Sequence, residues 1–310
     1  MKQFNPEECR IFEAITGSLL YGTNTPESDM DTRGICIPPM DVLLNPFYPF
    51  HQKDSGFKEE DRAIYALGKF FQICADCNPN IIELLFVPEQ NINYSSKYWE
   101  KIVANKNLFI SKKARFTFTG YAVSQLKAII RHRQWFIDPP KKKPERKDFG
   151  LTDSPLVSGD NLDHALNIPH SLFKDEFHDE LVREREYRVE KRKWDNYASW
   201  RDNRNKKRRE MEDTFGYDTK HASHLFRLMT EGKELLLTGN ITFPLPNADE
   251  IRAIKNGFYS YEEMLERAES FDKEFDVWYN ESTLPKAPNR NALTELYFEI
   301  IEEYHNDNPT

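Results

Sequence analysis

The sequence predicts an α+β fold, in which a small β-sheet core with helices near the N-terminus is followed by a mainly helical C-terminal region. The first observation is an apolar segment, Thr32–Ile37, which is typical of a strand and ends at Pro38, since proline cannot donate a ladder hydrogen bond. The second is the helical spacing of apolar residues from about residue 216 onward. Because no internal repeat is visible, this second half indicates a helical bundle.

Two carboxylates stand at the start of the predicted strand. Asp29 and Asp31 are two positions apart, and residues i and i+2 of a strand point to the same face. Two like charges at that distance are costly unless a cation lies between them. Hard oxygen ligands suit Mg²⁺, which takes one or two protein carboxylates and completes its shell with phosphate and water. The spacing therefore predicts a magnesium site.

A phosphate-binding turn is predicted just before these carboxylates. Gly17 and Ser18 offer backbone N–H groups and a hydroxyl to a phosphate. The alternative is that the segment from Thr25 to Asp29 is only a turn, since Pro, Ser and Asp favour turns, with Asp29 capping something local. The upstream Gly-Ser-x-x-Tyr-Gly and the downstream apolar strand favour the binding site.

The string GSLLYGTNTPESDMDTRG, residues 17–34, resembles the signature of the DNA polymerase β-like nucleotidyltransferases. It is most similar to the branch of predicted nucleotidyltransferases linked to RNA repair, with the pattern G-S-x-x-Y-G-x-x-x-x-x-S-D-x-D-x-R-G. The resemblance continues through three further segments: Asn78–Leu85, Gly120–Ala122 and Lys220–Leu228. It covers most of the chain apart from a central stretch, and it implies a small mixed β-sheet nucleotidyltransferase core.

The resemblance implies an enzyme that transfers a nucleoside monophosphate from a nucleoside triphosphate, such as ATP, to a hydroxyl. Asp29 and Asp31 would be catalytic and would bind two Mg²⁺ ions, for which Mn²⁺ can substitute. The superfamily takes a third carboxylate from a neighbouring strand, and the best candidate is Asp61, just before Ile64–Leu67. The residues next to Asp61 are charged, whereas a buried catalytic strand is usually apolar. Glu60 and Asp54 are therefore alternatives for the third carboxylate, and an alternative role for Asp61 is to cap the helix that follows.

Six residues are predicted to bind the nucleotide. The resemblance supplies the first three, Gly17, Ser18 and Tyr21. The other three lie at i, i+4 and i+7 on one helical face, where cationic side chains suit a triphosphate: Lys220, His224 and Arg227. Lys220 is the strongest of them. An ordinary solvated face is the alternative, and a zinc pair with His221 is disfavoured because no third ligand is evident.

A basic segment with regularly spaced aromatics is the sequence's best indication of the acceptor. Between Arg183 and Arg209 there are 12 Lys or Arg against 5 Asp or Glu, so this segment carries +7 while the whole chain carries −8. Aromatic and basic side chains can stack on bases and bind phosphates. The candidate RNA-binding residues are Arg192, Lys193, Trp194, Trp200 and Arg201. Packing of the aromatics against the protein is the alternative.

An RNA 3′ end, tRNA-like in kind, is therefore the expected acceptor. Two rival functions differ in class. One is nucleotidylation of a protein hydroxyl (AMPylation), which small members of the superfamily perform. The other is an inactive RNA-binding module, against which the two intact aspartates argue, because their repulsion brings no benefit without a cation.

Length and composition favour a soluble, cytoplasmic protein of 310 residues with no membrane partner. No apolar run is long enough to cross a bilayer, the N-terminus lacks a signal-peptide pattern, and the four cysteines fit a reducing compartment. The predicted organisation has four parts: residues 1–110 are the catalytic core, 111–137 a linking helix, 138–215 a charged insertion with a long basic helix over about 179–213, and 216–310 a helical C-terminal domain.

Overall fold

The computed structural model describes residues 4–26, 28–54, 61–172 and 174–309. Within them, the chain forms two compact units. Unit 1 comprises Met1–Ile129 and Thr219–Thr310, and unit 2 comprises Ile130–Asp218. None of the described helices combines the length and the apolar composition that a membrane crossing requires.

Unit 1 contains a five-stranded mixed sheet. Its strands are β1 (Arg10–Thr16), β2 (Asp31–Cys36), β3 (Gln52–Asp54), β4 (Arg62–Ala66) and β5 (Ile92–Ser95), in the order β3-β4-β2-β1-β5. β2 and β4 are parallel, and the other pairs are antiparallel. The predicted strand after Asp31 is therefore confirmed, as is the mixed sheet.

The register between β2 and β4 brings the signature to one end of the sheet. Thr32 lies opposite Arg62, so Asp31 and Asp61 occupy equivalent positions at the start of two adjacent parallel strands. The backbone N–H of Thr32 donates to the carbonyl oxygen of Asp61 at 3.0 Å. Neighbouring strands lie about 4.8 Å apart, so the carboxyl-bearing positions are adjacent.

Short helices cover this sheet. They are α1 (Gly17–Tyr21), α2 (Met40–Leu43), α3 (Leu67–Ala75), α4 (Pro79–Ile82) and α5 (Lys97–Ala104), followed by the long α6 (Ala114–Ile137). The aromatic core joins sheet to helices, since the Trp99 ring on α5 stacks on Phe12 of β1 with centroids 3.9 Å apart. Phe70 of α3 meets the same Trp99 ring edge-on at 5.4 Å.

Unit 2 is helical in its described part. Three 3₁₀ turns, Arg146–Phe149, Gly159–Asn161 and His170–Leu172, accompany α7 (Leu162–Leu166), α8 (Asp175–Asn203) and α9 (Lys206–Phe215). The C-terminal part of unit 1 contributes α10 (Thr219–Thr238), α11 (Ala248–Lys255), α12 (Tyr261–Glu281) and α13 (Arg290–Asp307). The predicted α+β class with a mainly helical C-terminal region is confirmed.

Three local expectations differ from the structure. The segment from Pro6 to Glu13, which favours a short helix by sequence, enters β1 at Arg10 because its apolar residues join the sheet core. The long basic helix is interrupted between Asn203 and Lys206, where Arg204 is extended (φ −64°, ψ 121°). The stretch 138–179, whose prolines, glycines and scattered polar residues favour an extended loop by sequence, contains short helical turns. The four-part division of the chain stays a prediction.

Candidate active site

Asp31 lies directly against Gly17. Thr16, the last residue of β1, pairs with Asp31, the first of β2, and the chain then turns into α1 at Gly17. Gly17 has φ +64°, a conformation that favours glycine, and a Cβ on it would lie 1.9 Å from Oδ2 of Asp31. Only a residue without a side chain therefore lets the Asp31 carboxylate sit over this turn.

Asp61 lies immediately before β4, the strand next to β2, and its position is fixed by Arg33. Nη1 of Arg33 donates to the backbone carbonyl oxygen of Asp61 at 2.8 Å and to its Oδ1 at 3.3 Å. The Asp61 side chain remains 66% exposed, so it is open to solvent and to a ligand. No role is predicted for Arg33 from the sequence, although it belongs to the signature and lies two residues after Asp31 on the same face of β2.

The alternatives to Asp61 are placed less favourably or not described. Asp54 lies on edge strand β3 opposite Ala63, one strand farther from Asp31, and its Oδ2 accepts from Gln52 at 2.9 Å. Glu60 lies outside the described residues. The structure thus brings Asp31 and Asp61 together, while the assignment of the third acid stays a prediction.

Asp29 precedes the strand and is exposed. The i, i+2 argument therefore does not hold for it, because β2 begins only at Asp31. The residues before it do form a turn, in which the backbone N–H of Thr25 donates to Oγ of Ser28 at 2.9 Å. Asp29 is still near enough to influence Asp31 electrostatically.

The electrostatics at Asp31 favour a cation. Partial burial raises the pKa of the Asp31 carboxyl, and the charges of Asp61 and Asp29 raise it further, while Arg33 and Lys220 lower it. An acid whose ionised form is destabilised by neighbouring carboxylates gains from a positive ion placed among them. Three carboxylates at one edge are the hard oxygen donors that Mg²⁺ prefers, so these residues fit the implied metal.

Two lysines lie near one another, and one of them acts on Asp31. Lys220, in the first turn of α10, is exposed and acts on Asp31. Lys255, in the last turn of α11, is half-buried, and burial together with the charge of Lys220 lowers its pKa. The chain thus holds two like charges near one another, an arrangement that an anion would stabilise. Lys255 was not predicted from the sequence, because only the packing of α11 on α10 brings it near Lys220.

Tyr21 and Arg227 lie in a buried network. The Tyr21 hydroxyl donates to Oε2 of Glu83 at 3.0 Å, and Nη1 of Arg227 lies 3.3 Å from the same oxygen and 3.1 Å from Oε2 of Glu231. Nη2 of Arg227 donates to Oδ1 of Asn80 at 3.1 Å. Glu83 therefore has a structural role, since its carboxylate holds both Tyr21 and Arg227. Direct nucleotide contact by Tyr21 or Arg227 stays a prediction, although both are buried.

The remaining nucleotide candidates differ in exposure. Ser18 is half-buried at the start of α1, and His224 is half-buried one turn after Lys220. His221, close to His224 in the chain, lies 2.6 Å through its Nδ1 from Oε1 of Gln125. Lys220 is therefore the most accessible cation among the six predicted residues.

The RNA-binding candidates lie on α8 in unit 2. Arg192 and Lys193 are exposed, with Lys193 paired to Glu190 at 2.6 Å. Trp194 packs edge-on against Tyr197 at 5.8 Å. Trp200 lies near Trp135, with ring centroids 5.4 Å apart. Arg201 is exposed and pairs with Asp202 at 2.8 Å. The aromatics therefore contact other rings within unit 2 and the cations face solvent, while RNA binding by these residues stays a prediction.

Comparison with known proteins agrees with the signature. Residues 5–140 match the model of the RNA repair pathway DNA polymerase beta family, RlaP. This part of the chain is similar to that family. The match begins before β1 and ends beyond α6, so the RlaP region contains Gly17, Asp29, Asp31 and Asp61.

One curated relative is similar along most of the chain. It is described as an uncharacterized 38.9 kDa protein in the nrdC–mobD intergenic region of enterobacteria phage T4. It is 25% identical over 292 residues, covering 83% of this chain and 86% of the relative. No solved structure is a significant match.

Proposed function

We propose that this protein is a magnesium-dependent nucleotidyltransferase that transfers a nucleoside monophosphate from a nucleoside triphosphate to an RNA hydroxyl. The observation that carries the proposal is the contact of Asp31 with Gly17 at the start of β2, with Asp61 at the equivalent position of parallel strand β4. The RlaP match over residues 5–140 supports the same reaction class.

Each part of the site has a task in this reaction. The acceptor hydroxyl oxygen forms a bond to the α-phosphorus, the bond to the β-phosphate oxygen breaks, and pyrophosphate leaves. Asp61, which is exposed and held by Arg33, accepts the proton of the attacking hydroxyl. The Gly17–Ser18 turn and Lys220 hold the β- and γ-phosphates by hydrogen bonds and charge.

Asp29, Asp31 and Asp61 would hold two Mg²⁺ ions, which neutralise charge on the attacking and leaving oxygens when bound. Gly17 leaves the space in which the Asp31 carboxylate and a phosphate approach one another. Lys255 adds a second positive charge for the leaving pyrophosphate.

The buried network positions these groups. Tyr21 lies on α1 with the phosphate turn, and Arg227 lies on α10 with Lys220. Both bond to Glu83, so the network links the two elements that hold the phosphates. Tyr21 and Arg227 are therefore positioning residues.

The test is labelling with α-phosphate-labelled triphosphates, Mg²⁺ and RNA, with RNA and protein resolved on one gel. The parent is expected to label RNA, while Asp29→Asn and Asp31→Asn lose labelling. Asp41→Asn is the matched control, because Asp41 is an exposed aspartate of the same unit beyond the opposite end of β2. Equal labelling by the parent and the Asp31→Asn variant would overturn the proposal. Label on protein instead of RNA would replace the acceptor by a protein hydroxyl.

A further inference from the structure

Unit 2 contains a cavity of about 410 Å³ that the proposed reaction does not use. It is lined by the end of α6, by α8 and α9 and by the turn between those two helices. Pockets for small ligands typically measure roughly 300–1,000 Å³, so a single planar ring system fits. The lining side chains that matter here are Trp135, Asn196, Ser199, Trp200, Asn203, Arg204 and Glu212.

A buried ion pair at the wall of this cavity has unused hydrogen-bonding capacity. Nη1 of Arg204 donates to Oε2 of Glu212 at 2.6 Å, and the two side chains are only 9% and 3% exposed. In the part of the chain that the structure describes, Oε1 of Glu212 accepts no hydrogen bond and Nε of Arg204 donates none. Nδ1 of His132 is 3.8 Å from that carboxylate oxygen, too far for a hydrogen bond.

Leaving a buried donor and a buried acceptor unbonded costs free energy. Both side chains line the cavity, and a side-chain shift that exposes these two buried atoms would present one N–H donor beside one carboxylate acceptor to a ligand there. A ligand that carries an acceptor next to an N–H group satisfies both at once. The edge of each nucleobase has this arrangement, as in the O4 and N3–H of uracil or the O6 and N1–H of guanine.

Aromatic rings supply the second requirement of a base-binding site. Trp135 and Trp200 both line the cavity and are half-buried, with ring centroids 5.4 Å apart at 46°. The guanidinium of Arg204 lies 4.6 Å from the centroid of the Trp200 ring. Unstacked bases in single-stranded RNA pack on aromatic faces and guanidinium planes.

Polar side chains along α8 complete the lining. Asn196, Ser199 and Asn203 fall at i, i+3 and i+7, so they share one face, and all three are exposed. Nδ2 of Asn203 lies 3.4 Å from Oγ of Ser199. Exposed Arg192 and Arg201 on the same helix provide charge for a flanking phosphate.

We propose that this cavity binds one unstacked nucleobase of a single-stranded RNA, with the ring on Trp200 and its edge on Arg204 and Glu212. That this RNA is the acceptor rests on the proposed function, whereas the binding itself does not. The site gives unit 2 a role in holding the RNA by a base, in addition to any contact with phosphates.

Binding by the full chain to fluorescein-labelled RNA pentamers tests this without triphosphate or Mg²⁺. Matched pentamers carry a base or an abasic residue at the centre, and fluorescence anisotropy gives each Kd. The parent is expected to bind the base-containing pentamer about tenfold more tightly, the scale of one base–aromatic stack. A series of pentamers with A, C, G or U at the centre shows which base the Arg204–Glu212 pair prefers.

Three variants locate the site. Trp200→Leu and Glu212→Gln are expected to abolish the difference between the two pentamers while leaving binding of the abasic pentamer unchanged. Asn203→Ala, an exposed position that leaves the helix intact, is expected to reduce the difference. Asn161→Ala is the matched control, because Asn161 is an exposed asparagine of unit 2 outside the cavity.

Equal affinity of the parent for both pentamers would overturn the proposal, as would an unchanged difference in both Trp200→Leu and Asn203→Ala. The Asp31→Asn variant separates the two claims. If the Asp31→Asn variant binds RNA as the parent does, and neither the variant nor the parent labels RNA, the proposed function is wrong while the base-binding site is supported. If the parent labels RNA without a base preference, the base site fails alone.

Discussion

The buried ion network of unit 1 and the exposed ion pairs near the end of α8 in unit 2 differ in how they hold charge. In unit 1, Arg227 is buried between Glu83 and Glu231, with side chains 7%, 3% and 0% exposed. On α8 of unit 2, two ion pairs lie largely in solvent: Lys193 with Glu190, and Arg201 with Asp202. Buried pairs are strongly coupled to the structure around them, whereas exposed pairs are weak.

The buried network of unit 1 suits a role in positioning other groups, whereas the exposed cations of α8 suit direct binding of a ligand. The buried network of unit 1 leaves little freedom to the helices that carry the phosphate-binding groups. The exposed cations of α8 can exchange their carboxylate partners for phosphates at little cost, which suits contact with RNA. Substitutions matched between the units therefore have unequal consequences.

The largest effect is expected from removing the buried cation. Arg227→Gln leaves Glu83 and Glu231 buried with their shared cation gone, a change that costs about 3–5 kcal/mol of unfolding free energy. Chemical denaturation measures it. Arg201→Gln removes an exposed guanidinium and should leave the denaturation midpoint unchanged. Equal effects of the two substitutions would remove the proposed contrast between the units.

Gly17→Ala comes next. Alanine is disfavoured in the left-handed conformation of residue 17, which lowers the free energy of unfolding by about 1–2 kcal/mol. Its methyl group also displaces the Asp31 carboxylate, so labelling activity should fall below about a hundredth of the parent's. Gly150→Ala in unit 2 is the control, because Gly150 has φ +66° and an added methyl group would meet nothing within 4 Å. It should lose similar stability and keep full activity. Loss of activity in both variants would mean that backbone strain, and not the Asp31 contact, is responsible.

Lys220→Ala is expected to raise KM for the triphosphate about tenfold, because one charge-assisted contact is lost. Lys255→Ala should act in the same direction and more weakly, since Lys255 is half-buried. Steady-state labelling at varied triphosphate measures both, and Lys127→Ala, which changes a lysine of unit 1 on α6, is the control. A KM unchanged in Lys220→Ala would exclude this lysine from the phosphate site.

The contributions of Glu231 in unit 1 and Glu184 in unit 2 to the pH dependence of stability should have opposite signs. Burial raises the pKa of Glu231 to about 8, partly offset by Arg227 and reinforced by Glu83. Between the ordinary Glu pKa and about 8, the folded state therefore holds a proton that the unfolded state lacks, so stability falls as pH rises through this window. Glu231→Gln should flatten that part of the profile of denaturation midpoint against pH.

Glu184 of unit 2 provides the opposite case. Burial raises its pKa, but Arg146 and Arg188 lower it more, so the net pKa is below the ordinary value. Its contribution to stability is present above the ordinary Glu pKa and is lost as pH falls through the lowered value. Glu184→Gln should therefore reduce the midpoint at neutral pH and leave the acid end unchanged. A neutral-pH midpoint equal to that of the parent would contradict this assignment.

Sequence alone predicted the parts of the site that lie close together in the chain. Gly17, Ser18, Asp29 and Asp31 lie within fifteen positions, and the apolar strand that follows them is a local pattern. Lys255 carries no such signal, since its place beside Lys220 depends on the packing of α11 on α10. Arg227 has helical spacing with Lys220, but its burial depends on Glu83 and Tyr21, which come from distant segments.

In unit 2, too, the local pattern of a helix could be predicted from the sequence, but contacts between helices could not. The aromatic spacing of Trp194, Tyr197 and Trp200 predicted one helical face, and the structure agrees. The break after Asn203 was not predicted, because it depends on Arg204 turning toward Glu212 of the following helix. An ion pair between two successive helices, such as this one, has no periodic pattern in the sequence.

The central claim is that the Gly17–Ser18 turn and the three aspartates form one site for metal and triphosphate. A crystal soaked with Mg²⁺ and a triphosphate that cannot be cleaved at the α-phosphate tests it most directly. The account predicts metal density on Asp29, Asp31 and Asp61, with the β- and γ-phosphates at Gly17 and Ser18 and within reach of Lys220. Metal and triphosphate bound away from Asp31 would contradict it.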